Sequence, residues 1–362
     1  MTVLRPEASP HLPERMLFQW HITDRCNLNC SHCYQQQPLA ADPSWDELME
    51  MLAQIKGFIT ACREASPGGR FRAHITVTGG EPFIRTEFMD MLKILAGERW
   101  NFSFAILTNG TMLDRKKVNE LKGLRPSFVQ VSIDGAPETH DRIRGSGSYE
   151  RAVQGARLLA RGGIPLYLSF TANAGNYREF PSVASLGRKL GAARVWSDRM
   201  VPCGAASTSG ERAMTADETC QYVKLMGKEL QRRRWFRRSP VLLHRSLQFA
   251  ATGERPYRCT AGDSLLTILP NGDICPCRRM PVVAGNILNN RLLDIYHGSP
   301  LLLGLRDRER ISSGWENCVY ARTCGGGARC ISWAVHGDPF MADPGCWMRS
   351  GQESVNSKME AL

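Results

Sequence analysis

The sequence contains no apolar run approaching the roughly 18 residues that a membrane-spanning helix requires. Its first residues, MTVLRPEASPHLPERM, are broken by prolines and charges and hold no apolar core, which argues against a secretory signal peptide. It shows no internal repeat and no low-complexity tract. These absences describe a cytosolic, cytoplasmic chain with no membrane partner. What is present is 362 residues, 43% hydrophobic and 22% charged, enough apolar mass for about two ordinary globular domains.

The net charge is +11, and much of the excess sits in RRRWFRR, residues 232–238. Such a run reads first as a solvated helix end, and second as a docking patch for an acidic peptide or a phosphate. Nucleic acid recognition would spread basic and aromatic residues over a surface, so this local cluster argues against RNA or DNA.

Thirteen cysteines is a high and odd number for such a chain. A disulfide framework suits short secreted proteins, whereas clustered cysteines in a reducing compartment more often hold metal or iron–sulfur clusters. Cys26, Cys30 and Cys33 form one group; Cys259, Cys275, Cys277, Cys318, Cys324 and Cys330, with Cys346 further on, form another. Cys62, Cys203 and Cys220 stand apart.

From residue 16 to about 200, short β-type runs alternate with helical patterns. Strands are expected at 16–23, 71–78, 101–108, 127–133, 165–171 and 193–200, each rich in aliphatic, aromatic or β-branched residues and bounded by turn formers. The intervening helix that opens at Ser44 has Glu47 in capping-box spacing, followed by Leu48, Met51, Leu52, Ile55, Phe58 and Ile59 at the helical period. Six βα units in a row predict a parallel sheet with right-handed crossovers. Six is fewer than the eight of a closed barrel, so the expected fold is α/β, a partial (β/α)6 barrel over residues 16–238. Polar, glycine-rich segments follow the strands at their carboxyl ends, where such folds build active sites. A long helix is expected over roughly 215–235. Beyond about 240 the alternation stops, and the cysteine-rich remainder, residues 239–362, reads as a small domain stapled by metal or clusters. Residues 1–15 are an N-terminal extension.

A structural zinc site usually closes its tetrahedron with four ligands, and Cys26-x3-Cys30-x2-Cys33 lacks a fourth unless His32 turns inward. A [4Fe–4S] cube held by three thiolates keeps one iron open, which is a catalytic feature. This triplet resembles the signature of the radical S-adenosylmethionine (SAM) enzymes, which fold as a partial (β/α)6 barrel. The resemblance implies that the open iron binds SAM and that reductive cleavage gives a 5'-deoxyadenosyl radical. TVTGGEPFI is similar to the family's glycine motif, which implies Gly79, Gly80 and Glu81 near the SAM methionyl amine. Glycine suits so close a backbone approach. His32 takes the place of an aromatic residue near the adenine, and VQVSIDGAPETHDRIRG implies Ser132 and Arg144 near the SAM ribose and carboxylate. The guanidinium fork fits a carboxylate.

Cys259-x12-Gly272-x4-Cys277 and CVYARTCGGGARC resemble the two halves of the SPASM or twitch-like auxiliary-cluster domain, with Cys346 following. Trp315 and Ala328 stand where that pattern has cysteines, Cys275 is extra, and Cys330 lies two residues late. Two arrangements stay open. Cys259, Cys277, Cys330 and Cys275 hold one auxiliary [4Fe–4S] cluster while Cys318, Cys324 and Cys346 hold a second, or only one cluster forms. Zinc also remains an alternative there. The resemblance implies a precursor peptide substrate and a flavodoxin or ferredoxin as electron donor. It leaves leader contacts to the barrel rim, the basic helix end or a separate leader-binding protein.

Three reactions are consistent with this reading: thioether or carbon–carbon cross-linking of a ribosomally made peptide, peptide epimerisation, or small-molecule dehydrogenation or rearrangement. Arg278 stands where sulfatase-maturating enzymes carry an aspartate base, and a guanidinium cannot accept a proton, which disfavours formylglycine formation. Cys203, in RMVPCGAA after the sixth strand, is the candidate hydrogen donor that an epimerase would require. The competing reading makes it a small buried residue.

Overall fold

Alternation along the first strand sets the layers of the barrel. In a computed structural model describing residues 12–35, 41–66, 68, 70–232 and 240–350, β1 spans Arg15–His21. Successive side chains leave a strand on opposite faces. Met16, Phe18 and Trp20 are accordingly buried against the helices, while Leu17 and Gln19 line the lumen. β2 (Arg72–Thr78) pairs with it in parallel, from Arg15 opposite Arg72 to His21 opposite Thr78. β3 (Ser103–Thr108), β4 (Val129–Ser132), β5 (Leu166–Ala172) and β6 (Arg194–Arg199) follow, each parallel to the last. All six strands fall on the runs expected from sequence.

Helices α1 (Trp45–Glu64), α2 (Phe88–Gly97), α3 (Arg115–Leu124), α4 (Pro137–Arg144), α5 (Ser148–Arg161) and α6 (Phe180–Leu190) occupy the connections. The Ser44–Glu47 capping box forms reciprocally, and the six apolar residues expected on that helix are all buried. α1 runs on to Glu64, past the last of those apolar residues, because Cys62 continues the buried stripe. Phe58 meets Phe18 edge-on at 5.6 Å and Tyr296 at 5.2 Å, tying the helix to strand and C-terminal region together. Fully burying such a side chain contributes roughly 1.5–3 kcal/mol. α7 (Ala216–Gln231) has its own capping box, from Thr215 and Glu218. Of the basic run beyond it, residues 233–238 lie outside the described residues.

The sheet does not stop at the sixth strand. β7 (Leu265–Ile268) adds to the free side of β1 in parallel, with Leu17 opposite Leu265. β8 (Asp273–Cys275) and β9 (Gly285–Asn286) continue it antiparallel. The strand order is therefore β6-β5-β4-β3-β2-β1-β7-β8-β9, an open sheet whose first seven strands are parallel. Helices α8 (Leu292–Gly298), α9 (Pro300–Arg306), α10 (Ala321–Cys324) and α11 (Arg329–His336) complete the C-terminal part. No helix of the described residues is long and apolar enough to cross a membrane.

Candidate functional site

Two backbone hydrogen bonds fix the cysteine loop to the end of β2. Gly80 N–H donates to Thr23 O at 2.9 Å, and Glu81 N–H to Arg25 O at 2.9 Å. A Cβ on Gly79 would lie 2.3 Å from Thr23 O, and one on Gly80 2.2 Å from Arg25 O. The glycine pair is thus required by the approach of the cysteine loop itself. Both glycines also line the adjoining cavity, so the loop and the expected ligand approach the same stretch of backbone.

Glu81 is fully buried, and its carboxylate accepts from Phe83 N, Thr108 Oγ1 and Asn109 N at 3.2, 2.8 and 2.7 Å. Burial pushes its pKa up to about 7 although these donors favour the ionised form. The side chain therefore pins the loop after β3. It is not among the residues lining the adjoining cavity.

That cavity, of about 190 Å3, lies at the carboxyl ends of the strands and brings together Cys26, Cys30, Cys33, His32, Gly79, Gly80, Ser132 and Arg144. Asp134, wholly buried, holds its wall together. Its carboxylate meets His32 Nε2 at 2.9 Å and accepts from Thr171 N at 2.8 Å and from Arg144 Nε. Burial opposes its ionisation, but Arg144 and then His32 outweigh burial and hold it well below the usual carboxylate range. Arg144 also reaches Cys30 Sγ through Nη1 at 3.9 Å, and Asn109 Nδ2 reaches Cys26 Sγ at 3.9 Å. Asp134 and Asn109 were not singled out from sequence, although they stand inside the SIDG and NGT segments that mark strand ends.

The three thiols fit a cluster better than a single ion. Among the described residues no three His, Cys, Asp or Glu side chains converge closely enough to hold one metal ion. The sulfurs instead border a cavity that offers no fourth cysteine, with amide and guanidinium donors near two of them. Three thiolates spread around a volume suit a cube with one open iron.

A second cavity, of about 300 Å3, occupies the lower lumen and shares Leu107, Trp196, Asp198, Arg199, Arg278 and Arg279 with the first. Its far wall carries Cys259, Cys277 and Cys330. Cys318 and Cys346 lie in a separate buried cluster with Trp315, and Cys324 lies within electrostatic reach of both. The thiols thus fall into two groups of three. Trp315 is buried with its indole Nε1 unpartnered among the described residues, an orphaned donor suited to a cluster sulfur. Cys275, inside β8, lines neither cavity, and burial pushes its thiol up to about 12.

Cys203 also lies outside both walls. Its thiol faces Tyr34 O at 3.6 Å within an apolar cluster that includes Cys277 and Cys330, and burial raises its pKa to about 11.

Comparison with known proteins accounts for this arrangement. Residues 20–181 match the model of the radical SAM superfamily. This part of the chain is a radical SAM domain. Residues 259–325 match the SPASM iron–sulfur cluster-binding domain, which stops short of Cys330 and Cys346. The cofactors of this radical SAM protein are SAM, a [4Fe–4S] cluster and auxiliary [4Fe–4S] binding in the SPASM domain. It is 26% identical to the AdoMet-dependent heme synthase of Methanosarcina barkeri over 93% of this chain and 97% of that one. Against the PqqA peptide cyclase of Gluconobacter oxydans it is 25% identical, over 94% and 92%. SuiB of Streptococcus suis, solved with S-adenosylmethionine, shares the fold at a TM-score of 0.70 and 17% identity, over 92% of this chain and 77% of that one.

Proposed function

We propose that this radical SAM enzyme modifies a ribosomally made peptide by forming a thioether or carbon–carbon cross-link. The supporting observation is the shared wall of the two cavities, which puts the Cys26–Cys30–Cys33 group and the Cys259–Cys277–Cys330 group on one chamber. Cross-linking removes two hydrogens from the substrate: one as an atom, the other as a proton and an electron. Bound clusters would supply reductive SAM cleavage at the first group and an electron acceptor at the second. Epimerisation is redox-neutral and needs a hydrogen donor in the chamber, and Cys203 does not line it. The likeness to a peptide cyclase favours a peptide substrate. The comparable likeness to heme synthases favours a second reading, oxidation of a small molecule in the same chamber.

The reconstituted enzyme, given SAM, dithionite and any short cysteine- or repeat-rich peptide that a neighbouring gene encodes, should yield a product lighter by two hydrogens. In deuterated buffer that product should gain no deuterium. A product of unchanged mass in ordinary water that gains deuterium at an α-carbon would establish epimerisation instead. Failure of any such peptide to bind or react, with turnover of a small carboxylated substrate, would establish the second reading.

The proposed placement of SAM at Ser132 and Arg144 carries its own expectation. Arg144→Ala should weaken SAM binding by roughly ten- to hundredfold, since hydrogen bonds to charged groups are each worth about 1.5–3 kcal/mol. Equilibrium binding of SAM measures it. An unchanged affinity would reduce Arg144 to the counter-ion of Asp134.

A further inference from the structure

The outer face of the barrel carries a second charged feature, apart from the chamber. A groove of about 940 Å3 runs between the start of α3, the start of α4 and the length of α5. Arg115, Arg151, Arg157 and Arg161 line it, all four exposed, and no ion pair among the described residues takes any of them. On α5, Arg157 and Arg161 stand one helical turn apart and Arg151 lies nearer its N-terminal end, so the helix supplies arginines along the length of the groove. Two carboxylates also border the groove. Asp114 is occupied by capping α3 and by Lys117 at 2.7 Å, and Glu150 sits in the first turn of α5. The groove keeps a positive excess.

Its upper end meets the cysteine loop. Thr111, which lines the groove, accepts from Asn27 Nδ2 at 2.9 Å, and Asn109 bonds the same Asn27 at 2.9 Å while reaching Cys26 Sγ. Cys26 is exposed, as are Arg25, Asn27 and Asn29 around it. The chamber side of the triplet faces the strand ends, so this loop is the side open to solvent. A protein seated on the α3–α5 groove would overhang the edge of the triplet without obstructing the chamber.

We propose that this groove docks a small acidic redox protein that delivers single electrons to the cluster at Cys26, Cys30 and Cys33. One electron leaves the reduced carrier and enters the oxidised cluster, and no bond is made or broken. The proposal rests on the superfamily's need for a one-electron donor and is independent of whether the substrate is a peptide. Complementary charge fits such a partner, because electron-transfer encounters are small, transient and steered electrostatically.

The test is binding of a purified acidic flavodoxin, read by calorimetry on both iron-free and cluster-loaded enzyme. Affinity should fall steeply between low and high salt, as the Debye length shortens from about 30 Å to about 3 Å. The triple variant R151E/R157E/R161E should bind at least about tenfold more weakly, from three reversed exposed charges. Its dithionite-driven production of 5'-deoxyadenosine should be unchanged, which also shows that it folds and carries its cluster. A matched reversal elsewhere, R291E/R308E/R322E, should leave flavodoxin binding intact.

Equal weakening by both triples would reduce the effect to net charge and overturn the assignment, as would salt-insensitive binding of the unaltered enzyme. Loss of precursor-peptide binding with flavodoxin binding intact would give the groove to the substrate. Should the triple variant lose its dithionite activity, the single R157E variant and the salt series still decide the matter.

Discussion

Changing Cys26, Cys30 and Cys33 together to alanine should remove about four irons per chain and abolish SAM cleavage under dithionite, because three thiolates hold the cube. The C-terminal groups share no cysteine with the triplet and are separated from it by the chamber, so their iron should remain. The same variant measures the auxiliary content. Iron and sulfide near eight per chain would mean two auxiliary cubes, and near four would mean one. The separation of Cys259, Cys277 and Cys330 from Cys318, Cys324 and Cys346 makes the higher number the expected result. Continued formation of 5'-deoxyadenosine by the triple variant would falsify the assignment of the catalytic cluster. One or two zinc equivalents with no visible absorbance would do the same for the auxiliary clusters.

The second large effect is expected at Asp343→Ala. Asp343 is buried, and its carboxylate pairs with Arg199 at the end of β6. It also accepts from Ala328 N at 2.8 Å and Gly345 N at 2.9 Å, beside Cys330 and Cys346. One side chain thereby joins the barrel to the segments that carry Cys330 and Cys346, one from each group of three cysteines. Removing it strands a buried guanidinium and two amide donors. Breaking a buried pair in this way costs about 3–5 kcal/mol. Denaturant unfolding should show that loss, and auxiliary iron should fall while iron at the N-terminal triplet persists. Asp343→Asn keeps one acceptor oxygen, enough for one of the two amides, and loses the charge, so it should recover only part of the stability. Unchanged unfolding and iron content in Asp343→Ala would mean that the two regions are held together by other contacts.

The sequence by itself determined the order of the six βα units, the cap and buried stripe of α1, and the three motifs at strand ends. Each of these is local: an alternation of period two, a helical period of 3.6, or a spacing of a few residues. It also located eight residues that the fold gathers around one cavity, because motifs at successive carboxyl ends of parallel strands must converge. Only the tertiary structure decided the rest. β7 is four residues long, too short for its period to announce a strand, and it forms because β1 leaves an edge for it to pair with. Asp134 becomes the centre of the wall because His32, Thr171 and Arg144 reach it from three separate segments. Glu81 is spent on the β3 loop, and the glycines beside it answer to the cysteine loop. The partition of the C-terminal cysteines depends on contacts between residues as far apart as Cys259 and Cys330. The basic groove likewise exists only where α3 and α5 lie side by side. Side chains brought together from distant segments leave no periodic trace in the chain, so their pairing is settled by packing alone.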